Sequence, residues 1–274
     1  MLPILLDLKI IRIYTIGVFF VLAFFWGAYI LWRNIKLTSF KEEDIFDCLF
    51  VTLFGALFTA RLFFVLLNFE DFGFSILRFI LINGFPGLSL TGGLIGGFTT
   101  FFIYTYIKKL SVIEISDYAT GPLLLALAIG KIGSFFAGGD VGSVTTFLLR
   151  VTYIGYEGTR HITALYEAFL FFVGFYIAQK ILYRIRREGA PQGSSLNFFL
   201  IFYPLTQIIL DNFKDNRLYF ANLPFDIIAA GIVFIVATGY FTFNNKKNIL
   251  RASKNLVSRV RKHGKKTPHK KTTG

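Results

Sequence analysis

Seven stretches of the chain run through apolar side chains with few interruptions: residues 13–32, 45–67, 88–107, 118–137, 162–182, 196–213 and 223–243. Each is close to the about 20 apolar residues that a helix needs to cross the hydrocarbon core of a bilayer. An eighth run, 72–82, is too short to cross and is expected to lie at the membrane interface or to re-enter it. The pattern therefore predicts an all-α, polytopic membrane protein with seven transmembrane helices. The first run is as long as a full span and has no small-residue cleavage site behind it, so it reads as a retained helix and not as a signal peptide.

Composition agrees with that reading. Of 274 residues 54% are hydrophobic, with 35 Phe, and the mean hydropathy is +0.60. A soluble domain of this length needs less apolar surface, and lipid is the simplest partner for the surplus. The net charge of +13 would suggest nucleic acid if it were spread evenly. It is concentrated instead in a tail, 244–274, that follows the last apolar run and carries Lys246, Lys247, Arg251, Lys254, Arg259, Arg261, Lys262, Lys265, Lys266, Lys270 and Lys271. Such a run reads as a cytoplasmic anchor drawn to anionic headgroups, with no nucleic-acid partner expected. Two units follow: a membrane domain, 1–243, and a disordered basic tail. With the N-terminus outside, the inner loops hold Arg33, Lys36, Lys41, Lys108, Lys109, Lys180, Arg184, Arg186 and Arg187. The outer segments hold only Lys9, Arg12, Arg78, Arg150, Arg160, Lys214 and Arg217. Excess cytoplasmic Lys and Arg sets the expected orientation, N-out/C-in. The single cysteine, Cys48, excludes an intrachain disulfide and reads as a buried structural residue.

Ionisable groups inside a membrane are costly and mark candidate sites. The sixth run carries Tyr203, Gln207, Asp211 and Lys214 on one helical stripe. The fourth carries Lys131 and Ser134, with Gly130 and Gly133 allowing another helix or a headgroup to approach closely. The fifth is expected to begin at Arg160 and His161 and to continue the same stripe through Thr163 and Glu167. The third opens on Thr91, Gly92 and Gly93, followed by Gly96 and Gly97, where small residues suit helix packing. Together these predict a cationic, hydroxyl-bearing pocket near the outer leaflet, suited to an anionic lipid headgroup and open to the bilayer. No metal or cofactor is expected. The residues by themselves do not specify a reaction.

The same residues resemble a family. Gly130-Lys131-Ile132-Gly133-Ser134-Phe135-Phe136-Ala137-Gly138-Gly139-Asp140-Val141-Gly142 resembles the signature G-R-I-G-N/C-F-x-x-G-x-x-x-G of prolipoprotein diacylglyceryl transferases. Arg160-His161-Ile162-Thr163-Ala164-Leu165-Tyr166-Glu167 is similar to that family's R-H-P-T-Q-L-Y-E, and the run from Ser89 to Gly97 to its S-x-H-G-G-L-I-G. Tyr203 to Lys214 is similar to its Y-x-x-x-R-x-x-x-E-F-x-R, while Tyr14 and Arg61 fall where it has a Tyr and an Arg. The resemblance implies transfer of a diacylglyceryl group from phosphatidylglycerol to the lipobox cysteine thiol of a prolipoprotein signal peptide. The reaction would take place at the outer face of the bacterial inner membrane, with glycerol 1-phosphate leaving. It implies catalytic roles for His161, Asp211 and Tyr14. It places Lys131, Ser134, Gly133, Asp140, Gly142, Arg160, Lys214, Gln207, Thr91, Gly92, Gly93 and Arg61 around the phosphate and headgroup. Several chemical groups depart from the pattern. Lys131, Gln207 and Lys214 stand for Arg, Thr91 for His, Asp211 for Glu and Ser134 for Asn. The alternative is a catalytically degenerate relative that binds anionic phospholipid or prolipoprotein without transfer. A small transporter reusing the cavity is a more distant one.

Removing residues 248–274 is expected to leave membrane insertion intact, because the loops and Lys180, Arg184, Arg186 and Arg187 already determine orientation. Binding to anionic liposomes should weaken, by up to about 1 kcal/mol per lost basic residue. A cysteine-accessibility map of the truncated protein checks this, and inverted helices would refute it.

Overall fold

Short polar side chains and glycines set where the apolar runs start and stop as helices. The structure, a computed structural model, describes residues 4–7, 12–36, 38–81, 85, 87–215, 219–220 and 223–244. The tail from residue 245 and its expected disorder lie outside the described residues. A short antiparallel pair, β1 (Ile4–Asp7) and β2 (Arg12–Tyr14), leads into α1 (Thr15–Ile35). Then come α2 (Glu42–Leu67), two short helices α3 (Phe69–Phe72) and α4 (Ile76–Ile80), α5 (Leu90–Ile107) and α6 (Val112–Ala137). A two-stranded hairpin, β3 (Arg150–Val151) and β4 (Arg160–His161), precedes α7 (Thr163–Arg186) and α8 (Ser194–Leu210). A single 3₁₀ turn (Asp211–Phe213) and a second small pair, β5 (Tyr219–Phe220) and β6 (Leu223–Pro224), lead to α9 (Phe225–Asn244). Six of these helices are long and apolar enough to span a bilayer, and α9 carries a shorter apolar run over Phe225–Val236. The protein is a polytopic, all-α membrane protein.

Four boundaries differ from the sequence reading. α6 starts six residues before position 118, because Ser111 caps it by accepting the Glu114 backbone N–H. Its end is set by Gly138 at φ +76°, a left-handed conformation that favours glycine. Arg160 and His161 do not open a helix: they pair with Arg150 and Val151 as strand. Leu223–Pro224 likewise forms β6 before α9 begins. The run 72–82 is divided between α3 and α4, with Phe74 almost fully exposed between them.

α6 is the centre of the bundle and packs against α1, α7 and α8; α5 lies along α2, and α9 along α8. Leu124, Ala128, Phe171, Ala178, Phe199 and Tyr203 form the mid-bundle core, and Leu31, Ile35, Ile45, Ile115, Tyr118 and Leu182 a second core toward one end. Phe25, Phe54, Phe102 and Phe169 point outward, as lipid-facing side chains do. Cys48 is buried, as expected, its sulfur near Thr52. Asp117 is almost wholly buried and accepts the backbone N–H groups of Gly193, Ser195 and Leu196, so its charge caps the start of α8. Sequence reasoning missed this residue, since only the fold brings it to a helix terminus.

Contact between α5 and α2 depends on glycine. A Cβ at Gly96 would lie 1.7 Å from the Thr59 hydroxyl, and one at Gly92 would lie 2.5 Å from the Phe63 Cβ. Between helices in lipid, such close approach stands in for the hydrophobic drive that water supplies elsewhere. Gly96→Ala should therefore destabilise the protein by about 1–3 kcal/mol through overpacking. Gly17→Ala should change little, because nothing lies within 4 Å of a Cβ there. Thermal unfolding of both variants in detergent checks the contrast.

Candidate active site

Successive spanning helices reverse direction, so the end of α6, the start of α7, the end of α8 and the start of α9 meet at one end of the bundle. There Lys131 of α6 donates to Asp140 Oδ2 at 2.8 Å and forms an ion pair with Glu167 Oε2. Lys214, just past the 3₁₀ turn, reaches Glu167 Oε1 at 2.8 Å and Asp211 Oδ1 at 3.5 Å. Its ammonium also donates to Gln207 Oε1 at 3.3 Å. Glu167 has 0% exposure and bridges two ammonium groups held on different elements. Asp140 sits just beyond α6. Burial disfavours its charge, but the nearby Lys131 and Lys214, with hydrogen bonds from Lys131 and Ser134, outweigh burial and hold the carboxyl down at about 2.

The expected stripe on the sixth run holds, although its last members leave the α-helix: Gln207 is on α8, Asp211 in the 3₁₀ turn and Lys214 in extended backbone. The expected cationic pocket is corrected. Lys131 and Lys214 face three carboxyl groups, Asp140, Glu167 and Asp211, so the cluster carries its own counter-ions. The physical reason is desolvation: an ammonium buried with no anion is too costly to keep. Glu167 stood in the sequence motif, but its double pairing needs the fold.

Arg160 lies beside this cluster on β4. Its Nη1 donates to Gly142 O at 3.0 Å and to Asp215 Oδ2 at 2.8 Å, and its guanidinium stacks over Tyr156. Gly142 pairs with Lys214 in a β-bridge, and a Cβ there would meet His161 O at 2.1 Å. Glycine at 142 thus lets three strands converge. His161 is ringed by Phe147, Tyr166 and Phe213, and its Nδ1 is buried with no hydrogen-bond partner among the described residues. Tyr153, buried beneath the hairpin, donates to His161 O at 3.4 Å, and burial pushes its hydroxyl up to about 12.

A second group of the expected residues sits at the same end on α2 and α5. Arg61 is buried and gives its guanidinium to backbone carbonyls: Nε to Phe79 at 2.9 Å, Nη1 to Gly87 at 2.9 Å and Nη2 to Arg78 at 2.7 Å. It fastens the α4 segment to α2. Among the described residues, no carboxylate pairs with it. Thr91 donates from its hydroxyl to Asp226 Oδ1, at the start of α9. In the sequence Asp226 is a lone carboxylate near the start of the seventh apolar run. Gly92 and Gly93 turn their α-carbons toward Phe63 and Ala60 of α2, and Gly133 toward Phe19 of α1, so the space beside Gly133 is filled by a helix. Tyr14 is half-buried at the end of β2, as the N-cap of α1.

The cluster can fix positive charge in a dry region and hold it against carboxylates, which suits neutralising an oxyanion. Removing one partner should be costly. Lys131→Met is expected to lower unfolding free energy by about 3–5 kcal/mol, the range for breaking a buried pair. The double variant Lys131→Met/Glu167→Gln should lose less than the sum of the single losses, because the uncharged Gln no longer needs the cation. Unfolding measurements on the four proteins of this cycle check it; simple additivity would show that the pair is not coupled.

Comparison with known proteins identifies a family. The family model for prolipoprotein diacylglyceryl transferase matches residues 3–243. The chain is similar to the phosphatidylglycerol–prolipoprotein diacylglyceryl transferase of Clostridioides difficile (strain 630), 26% identical over 226 residues, covering 81% of this chain and 88% of the relative. It is similar to that of Enterococcus faecalis (strain ATCC 700802 / V583), 29% identical over 75% of this chain and 77% of the relative. It is also similar to that of Streptococcus sanguinis (strain SK36), 25% identical over 89% and 96%. With the family model covering residues 3–243 of 274, the chain belongs to the prolipoprotein diacylglyceryl transferase family.

Proposed function

We propose that the protein transfers the diacylglyceryl group of phosphatidylglycerol to the lipobox cysteine of prolipoprotein signal peptides, working at the outer face of the bacterial inner membrane. The Lys and Arg asymmetry supports this placement, with the N-terminus outside and the basic tail in the cytoplasm. One observation carries the chemistry: two buried ammonium groups, Lys131 and Lys214, converge on the single carboxylate Glu167 at the end of the bundle.

In the reaction the cysteine sulfur attacks the glycerol carbon that bears the phosphate, the C–O bond breaks, and glycerol phosphate leaves with the electron pair. Charge grows on the phosphate oxygen as that bond lengthens. Ammonium groups already fixed near the phosphate stabilise this charge without reorganising at the moment of reaction. Lys131 and Lys214 serve as these groups, with Arg160 assisting from β4. Their carboxylates hold them in place until the phosphate arrives as an additional anion. Ser134, Gln207 and the backbone around Asp140 and Gly142 border the headgroup. Arg61, which has no carboxylate partner among the described residues, draws the lipid toward the same end. Tyr14 and the aromatic ring set around His161 border the reacting carbon. Alignment of thiol and carbon within such a frame contributes as much as charge.

The purified protein, given vesicles of phosphatidylglycerol and a lipobox peptide, should add one diacylglyceryl mass to the peptide; phosphatidylcholine vesicles should give none. In a bacterium depleted of its own transferase, the gene should restore lipoprotein lipidation, read by the same mass shift. Failure of both assays with folded protein would refute the transferase reading.

A further inference from the structure

Transfer to a cysteine thiol leaves one proton without a destination, since a thiol is only a few per cent ionised at neutral pH and must lose its proton to attack. Four carboxylates at this end already face cations: Asp140 and Glu167 face Lys131, Asp211 faces Lys214, and Asp215 faces Arg160. A proton placed on any of them breaks an ion pair. Asp226 differs. Among the described residues no Lys, Arg or His lies within ion-pair distance of it, and the Thr91 hydroxyl donates to its Oδ1. A proton delivered to Asp226 displaces only that hydrogen bond.

Position agrees with such a role. Asp226 stands in the first turn of α9 and is half-buried, while Thr91 is 8% exposed in the first turn of α5. The rings of Phe63 and Phe225 pack together beside the pair, 5.6 Å between centroids. Tyr203 of α8 is within electrostatic reach of Asp226, Lys131 and Glu167 alike. The pair and the lysine cluster therefore share Tyr203 as a common neighbour. His161 is worse suited. In its charged form both ring nitrogens carry protons, and the buried Nδ1 has no acceptor among the described residues.

We infer that Asp226, acting through the hydroxyl of Thr91, takes the proton of the acceptor thiol; the inference rests on the transferase reading. The thiol proton passes to Thr91 Oγ1 as the proton of Thr91 moves to Asp226 Oδ1. The sulfur pair forms the C–S bond, and the breaking C–O bond leaves its pair on the departing glycerol phosphate. Asp226 then returns its proton to water. Threonine alone cannot hold the proton; threonine hydrogen-bonded to a carboxylate free of cations can pass it on.

The test compares two acceptor peptides, identical except for cysteine or selenocysteine at the lipobox position, in phosphatidylglycerol vesicles. The selenol is already ionised at neutral pH and needs no base. Asp226→Asn and Thr91→Val should lower transfer to cysteine about 100-fold or more, the usual scale for losing a general base. Transfer to selenocysteine should stay within a few-fold of the parent, and Thr91→Ser should keep both activities. Phosphatidylglycerol binding of each variant reports folding. Thr91→Val, which keeps the shape of the side chain, carries the test if Asp226→Asn does not fold. Parent-like transfer to cysteine by the variants would overturn the inference, and so would equal losses with both acceptors, which would mark the pair as structural. If the unaltered protein transfers to neither peptide, the transferase reading fails, and this inference with it.

Discussion

The end of the bundle where α6, α7 and α8 meet depends on one buried anion bridging two buried cations. Glu167, with no exposed surface, could not remain ionised in this position alone, because the cost of taking a carboxylate out of water is several kcal/mol. Lys131 and Lys214 offset that cost, and each is also paired with Asp140 or Asp211. The three residues come from α6, α7 and the segment after α8. The ion pairs therefore do more than neutralise charge: they fix how the ends of three helices sit. The segment that follows α6 and the extended backbone at Lys214 are then close enough to pair, with Ser143 N–H donating to Phe213 O at 2.7 Å and Asp215 N–H to Val141 O at 2.9 Å.

Away from that end, packing between helices follows a different rule. Lipid is as apolar as the side chains it replaces, so helices gain little from hiding apolar surface and associate through close fit. Gly92, Gly93, Gly96 and Gly97 turn one face of α5 toward α2, and Gly133 receives Phe19 of α1. Gly174 likewise receives the ring of Phe202 from α8. A small residue on one helix opposite a larger side chain on the next recurs through the bundle. It leaves the remaining phenylalanines free to face the bilayer.

Much of this was legible before the fold was known. The spans were visible because a membrane imposes a length on apolar runs, and that constraint acts locally. The stripe of Gln207, Asp211 and Lys214 was visible because helical spacing brings such residues together whatever surrounds them. What could not be read was pairing across helices. Lys131 and Glu167 were both conspicuous as charges in spans, yet only the antiparallel arrangement of α6 and α7 shows that each satisfies the other. Asp117 and Asp226 carried still weaker signals. Each sits at the edge of an apolar run, where a carboxylate reads as an ordinary helix-end residue, and each has its partner 76 to 135 positions away. The strand at Arg160 and His161 was hidden for a related reason: nothing local favours it, and it is held by Gly142, Ser143 and Val144, some 17 residues earlier.

Lys131, Gln207, Asp211 and Lys214 meet through this geometry in one set of contacts. A guanidinium is a planar fork suited to one bidentate anion, whereas an ammonium is a compact charge that is satisfied by separate oxygens around it. Lys131 is satisfied in the second way, by one oxygen of Asp140 and one of Glu167. Lys214 uses the other oxygen of Glu167 together with Asp211 and the amide oxygen of Gln207. Glutamine at 207 gives Lys214 a neutral acceptor at this point of the cluster. The shorter Asp211 leaves its carboxylate 3.5 Å from Lys214 and the nearer oxygen of Glu167 at 2.8 Å, which makes Glu167 the principal anion of the cluster. Lysine at 131 and 214, glutamine at 207 and aspartate at 211 are thus a mutually consistent set. They hold buried positive charge as compact point charges, each satisfied by separate oxygens.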